Sequence, residues 1–149
     1  MRRLAVGLLL CLPLVTTGCI APLFIEMFKD PYGRHDSLTR LQREYTNALR
    51  WGDPDVAIDY VHPELREEFF NHAQNFKQIR VTDFEVGKIE WGEEKATARI
   101  VVTYHAYSML SMVEKEIRET QQWERLSENK NDWVVRPKID HLIDSVAGM

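Results

Sequence analysis

The chain has 149 residues, 44% of them apolar and 28% charged, a composition that fits one globular domain and excludes both a disordered chain and an all-membrane one. Its net charge of −4 offers no basic footprint for phosphate backbones, which tells against a nucleic-acid partner. Arg2 and Arg3 lie in a segment expected to be removed, leaving 17 basic against 23 acidic residues, or −6, in the mature chain.

Residues 1–19 read MRRLAVGLLLCLPLVTTGC: two arginines, an apolar run from Leu4 to Val15, then small and polar residues before a cysteine. This is the order of a secretory signal, and it resembles a bacterial lipoprotein signal. The resemblance implies cleavage after residue 18 and acylation of Cys19, although Thr16 stands where the pattern prefers leucine. Cys11 would leave with the signal, so Cys19 is the only cysteine expected in the exported chain, and acylation accounts for it. Leu4 to Ile25 carries no charge and is long enough to span a bilayer. An uncleaved anchor is therefore the main alternative, and simple secretion the lesser one.

Both leading options place the domain in the cell envelope, anchored to a membrane and facing the periplasm or exterior. Ile20, a residue other than aspartate after the cysteine, implies the outer membrane in a Gram-negative host. Residues 19–36 then form the lipidated cysteine and a tether, with two prolines and mixed charges. Phe24, Ile25, Met27 and Phe28 are apolar enough to dock on the domain or to sit in the lipid interface.

From Ser37 the period becomes helical, with Leu38, Leu41, Tyr45, Ala48 and Leu49 on one face, Asp36 or Ser37 as N-cap and Gly52 as terminator. Asp53-Pro54 starts a second, short helix carrying Val56, Ile58, Tyr60 and Val61, and His62-Pro63-Glu64 repeats the device for a third, where Leu65, Phe69 and Ala73 face inward.

After about residue 78 the period falls to two. Phe84 and Val86 alternate in one phase, Ile89 and Trp91 in the other, with Gly87 at the switch, the pattern of a bulged and curved strand. Gly92-Glu93-Glu94 turns into a second strand, Ala96–Tyr107, whose even positions are apolar except for the hydroxyl of Tyr104. Ser108 to Met112 reverses the chain into a third strand, Val113–Leu126, with Val113, Ile117 and Trp123 on one parity. A polar loop, Ser127 to Asp132, leads to a last strand at Trp133-Val134-Val135. The expected class is α+β: three N-terminal helices packed on a curved four-stranded antiparallel sheet.

That order, with Tyr45–Asp53 running one helix into a Gly-Asp junction and the pair Gln122–Leu126 and Asp132–Val135 closing the sheet, resembles the nuclear transport factor 2-like superfamily of ketosteroid isomerases and SnoaL-like cyclases. The resemblance covers roughly residues 37–137 of a domain expected over 37–149. It implies a cone-shaped, cystatin/SnoaL-like sheet around an apolar pocket that serves catalysis, ligand binding or docking, and fold alone does not choose among these.

Enzymes of this kind place an aspartate or histidine with tyrosine partners in the pocket. The candidates here are Asp59, Tyr45 and Tyr104, in no diagnostic constellation. Tyr45 and Tyr104 also suit core aromatics with satisfied hydroxyls, and Asp59 suits the outer face of its helix. His35, His62, His72, His105 and His141 lack ligand spacing, so no metal and no cofactor are implied. The charge runs Glu64–Glu68 and Glu114–Glu119 read as solvated surfaces, and Met109 and Met112 as gap fillers around a loop.

The leading expectation is a non-enzymatic envelope lipoprotein whose domain binds a small apolar ligand or an envelope protein, with a second copy of the chain, paired through the sheet as a homodimer, as a further candidate partner. The alternatives are a small-molecule enzyme of the isomerase, dehydratase or hydrolase kind using an Asp/Tyr set, and a secretion or assembly subunit.

Overall fold

The structure, a computed structural model, describes residues 32–147. The expected signal 1–18, Cys19 and the tether up to Pro31 lie outside the described residues, and among those described no helix is long and apolar enough to cross a membrane.

Helix α1 (Arg34–Arg50) starts three residues ahead of expectation, so Arg34 to Asp36 belong to the domain and not to the tether. Gly33 caps it in the left-handed conformation, φ 59°, which glycine adopts without steric cost. The Ser37 hydroxyl, expected to cap, instead donates to Arg34 O at 3.0 Å and accepts from Trp133 Nε1 at 3.2 Å, tying the helix start to the last strand. Gly52 ends the helix as expected, at φ 70° with its N–H on Leu49 O.

Helix α2 (Pro54–Ala57) follows, with Asp53 Oδ1 accepting from Val56 N at 3.3 Å and proline in the first turn, and it tightens into a 3-10 turn through Tyr60. Helix α3 (Arg66–Phe76) follows a 3-10 turn at Pro63–Leu65, whose start His62 Nδ1 caps by accepting from Glu64 N at 3.3 Å. It buries Phe69, Ala73 and Phe76.

The sheet is an antiparallel meander, β1 (Ile79–Trp91), β2 (Thr97–Ser108), β3 (Glu114–Arg125) and β4 (Trp133–Arg136), in that spatial order. On β2 the alternation is close to complete, with Ala98, Ile100, Val102, Tyr104 and Ala106 buried. Strand β1 carries two register shifts where one was expected, between Val81 and Asp83 and between Val86 and Ile89. At the second, a Cβ on Gly87 would come within 2.9 Å of Val101 O, so glycine is what lets the bent strand lie close to its neighbour.

Three further expectations change. Strand β3 begins at Glu114, and Val113 lies exposed in the preceding loop. Met109 and Met112 are exposed in the same loop and fill no gap, Met112 sitting at the positive φ of 54° that the reversal demands. A fourth helix, α4 (Ile139–Ala147), closes the chain and packs on α3, β2 and β3 through buried Leu142, Ile143 and Val146. The architecture is thus α+β, with four helices against one face of a four-stranded antiparallel sheet.

Candidate active site

The helices cover the face of the sheet on which β3 presents Ile117, Glu119, Gln121 and Trp123, all buried. Strand parity leaves no choice here: once Ile117 and Trp123 face the core, every second residue between them must do so as well. Glu119 and Gln121 are the residues that sequence reading missed. The run Glu114–Glu119 was expected to be a solvated surface, and the correction is that its last member points inward, while Glu114, Glu116 and Arg118 remain exposed.

Register brings Tyr104 to this pair. Val102 is the direct partner of Glu119 and Ile100 that of Gln121, so Tyr104 lies diagonally beside Glu119, within reach of a long side chain. Its hydroxyl donates to Glu119 Oε2 at 3.0 Å and accepts from Gln121 Nε2 at 3.0 Å. Gln121 Nε2 also lies 3.3 Å from Glu119 Oε2, and the backbone N–H of Lys138 donates to Oε1 at 3.1 Å. The carboxyl therefore meets three donors inside the protein.

Helix α1 supplies the opposite wall. Gln42 Nε2 donates to Thr46 Oγ1 at 2.9 Å and reaches Gln121 Oε1 at 3.5 Å, an oxygen that also accepts from Trp123 Nε1 at 3.1 Å. These i, i+4 residues share one helix face, the face of Leu38, Tyr45 and Leu49. Tyr45 packs edge-on to Trp123, ring centroids 5.9 Å apart and planes at 86°, yet its hydroxyl is buried with no hydrogen-bond partner. Such a group costs stability unless something binds it.

Burial dominates the electrostatics. It raises the pKa of Glu119, against the opposing pull of Lys138 N–H, Gln121, Tyr104 and the charge of His141. It likewise holds both phenols protonated, pushing Tyr104 and Tyr45 well above the ordinary tyrosine value, with the nearby Glu119 charge adding to the effect in each.

Of the candidates read from the sequence, Tyr45 and Tyr104 come together around one carboxyl. Asp59 does not join them: it is exposed in the 3-10 turn after α2, where three residues per turn place it on the solvent side. The set is accordingly Glu119 with two tyrosines, not Asp59 with either.

A groove of about 440 Å³ lies between α1 and the bulged half of β1, and Glu119, Tyr45 and Tyr104 sit behind its lining. Gln42 and Ile100 both line it, the first a hydrogen-bond neighbour of Gln121 and the second its cross-strand partner.

No family model matches the sequence, and no curated protein matches it. Among solved structures the chain is similar to a candidate polyketide cyclase from Xanthomonas campestris pv. campestris, with a TM-score of 0.49 and 12% identity, over 76% of this chain and 98% of that one. The expectation of a non-enzymatic binding domain is corrected at this point. What overturns it lies in the core: an enclosed carboxyl, Glu119, with the buried phenols of Tyr104 and Tyr45 beside it, where an exposed Asp59 was the expected acid.

Proposed function

We propose that the domain is a small-molecule enzyme of the isomerase or dehydratase kind, nuclear transport factor 2-like in build, with Glu119 as its acid-base group and Tyr45 and Tyr104 as phenol donors. The observation that carries this reading is the pairing of a buried, hydrogen-bonded carboxyl with a buried tyrosine hydroxyl that has no partner of its own.

Such an arrangement suits proton transfer next to a carbonyl or hydroxyl. A desolvated carboxylate is a stronger base than one in water, and phenols kept protonated can donate to the oxygen on which negative charge develops. Tyr45, with nothing to release first, would take the substrate oxygen. Glu119 would remove the proton and return it elsewhere, while Tyr104 and Gln121 hold its orientation. Turning Gln42 away from Gln121 would open the set to the groove.

The test is α-proton exchange of a panel of small ketones and hydroxyketones in D2O, followed by NMR, with wild type and Glu119→Gln. The expected result is wild-type exchange that falls by roughly a hundredfold or more in the variant. Equal rates would sink the reading.

The proposal includes the location expected above, with the domain held at the envelope membrane by lipid on Cys19. Mass spectrometry of the mature N-terminus should show an acylated cysteine in wild type and its loss in Cys19→Ser. An unmodified, uncleaved wild-type chain would overturn it.

A further inference from the structure

The groove between α1 and β1 has a one-signed charge pattern. Its apolar wall comes from Val86, Ile89, Trp91 and Ile100, and its charged residues are Arg43 from the helix and Lys88 from the strand, with His35 beside them. No carboxylate lines it, although the chain as a whole carries more acidic than basic residues. Other depressions in the described surface are built differently: the one between α3 and α4 carries Asp140 and Asp144, and the one at the β1–β2 turn carries Glu90 and Glu124.

The bulge produces this pattern. Gly87 and Lys88 fall in the register shift between Val86 and Ile89, so neither has a partner on β2, and the strand bends there. Among the described residues, neither Arg43 nor Lys88 forms an ion pair. Thr39, one turn before Arg43, lines the same groove, and its hydroxyl is buried without a hydrogen-bond partner.

We infer that the groove binds a free amphiphilic carboxylate, its apolar body along Val86, Ile89, Trp91 and Ile100 and its carboxylate at the Arg43 and Lys88 rim. The inference rests on the reading of Glu119 as the reacting group, and it names the substrate class that this site would admit. Charge complementarity selects the anion: two unpaired cations at the mouth of an apolar slot attract a carboxylate and gain nothing from a neutral head. The volume, about 440 Å³, suits a ligand of that size class. Gln42 forms the inner end, so the body of the ligand points toward Gln121 and Glu119 while the head stays at the rim.

The experiment is calorimetric titration of the full chain with sodium decanoate, below its micellar range, and with decanol. Wild type should bind decanoate at least tenfold more tightly than decanol, and Arg43→Gln with Lys88→Gln should remove that preference, about tenfold per cation. Arg118→Gln, an exposed cation on the other face of β3, should leave it intact. No binding of decanoate, equal binding of decanol, or a preference that survives the double variant would each overturn the inference. Its failure can be told apart from that of the catalytic reading. Loss of anion preference alongside Glu119-dependent exchange of neutral ketones condemns only the carboxylate, whereas selective binding without Glu119-dependent exchange condemns only the catalysis.

Discussion

Tyr45 and Tyr104 are both fully buried on facing elements of one site, but only the Tyr104 hydroxyl has hydrogen-bond partners, so replacing each with phenylalanine should change stability in opposite directions. In Tyr104→Phe, Glu119 Oε2 loses a donor at 3.0 Å and Gln121 Nε2 loses an acceptor at 3.0 Å, with only the 3.3 Å contact between Gln121 and Glu119 left to compensate. A hydrogen bond to a charged group contributes about 1.5–3 kcal/mol, so a loss of about 2–3 kcal/mol is expected. In Tyr45→Phe no hydrogen bond is lost, and the edge contacts of the ring with Trp123 and Tyr60 remain. An unsatisfied buried hydroxyl costs about 1–3 kcal/mol, and relieving part of that should stabilise the protein by about 1 kcal/mol. At roughly 3–6 °C per kcal/mol for a domain of this size, the two melting temperatures should separate by more than about 9 °C. Urea unfolding at neutral pH would measure the difference directly. Under the proposed function the same Tyr45→Phe chain should also lose activity, because the hydroxyl that costs the fold stability is the one proposed to meet the substrate. If Tyr45→Phe destabilises as much as Tyr104→Phe, that hydroxyl is already satisfied, and its assignment as the substrate donor fails.

Burial raises the Glu119 pKa, so the folded state holds that proton more tightly than the unfolded chain does. Its stabilising effect is full below the ordinary glutamate value of about 4.3 and is lost as pH rises through the raised folded value. Denaturation midpoints measured across that window should fall with pH in wild type and much less so in Glu119→Gln, and identical slopes would contradict the burial argument. Gly87→Val would set a Cβ within 2.9 Å of Val101 O and should cost about 1–3 kcal/mol, read as a lower urea midpoint. An unchanged midpoint would mean the bulge is free to relax. Leu142→Ala should cost about 2–5 kcal/mol if α4 belongs to the core, as its burial against α3 and the sheet requires, and a loss below 1 kcal/mol would show the helix to be peripheral.

Most of the fold was legible because its signals are local. The Asp53-Pro54 and His62-Pro63 starts, the Gly52 stop and the alternation on β2 each depend on a few neighbouring residues, and each appears where the pattern put it. The start of α1 was misplaced because Ser37, a good cap by type, is drawn to Trp133 from 96 positions away. Helix α4, two residues beyond the end of β4, lies past the last element expected from the sequence. Its spacing of Leu142, Ile143 and Val146 nevertheless marks an apolar helix face in the sequence.

The site was half legible, for a reason rooted in strand geometry. Tyr45 and Tyr104 drew notice because each sits in phase with apolar neighbours on its own element. Glu119 sits in phase with Ile117 and Trp123 just as strictly, but as one acid in a charged run it counted toward a solvated surface. Charge runs and parity make competing claims about such a residue, and on a half-buried strand parity must prevail, because turning Glu119 outward would turn Ile117 and Trp123 outward with it. The chain then has to satisfy the carboxyl it has buried. Tyr104, Gln121 and the N–H of Lys138 do so from three directions, from β2, from β3 and from the segment leading into α4. A carboxyl that serves only packing would be replaced at little cost by an apolar side chain of similar volume. One that draws this many donors, beside a phenol left without a partner, is the arrangement on which the proposed proton transfer rests.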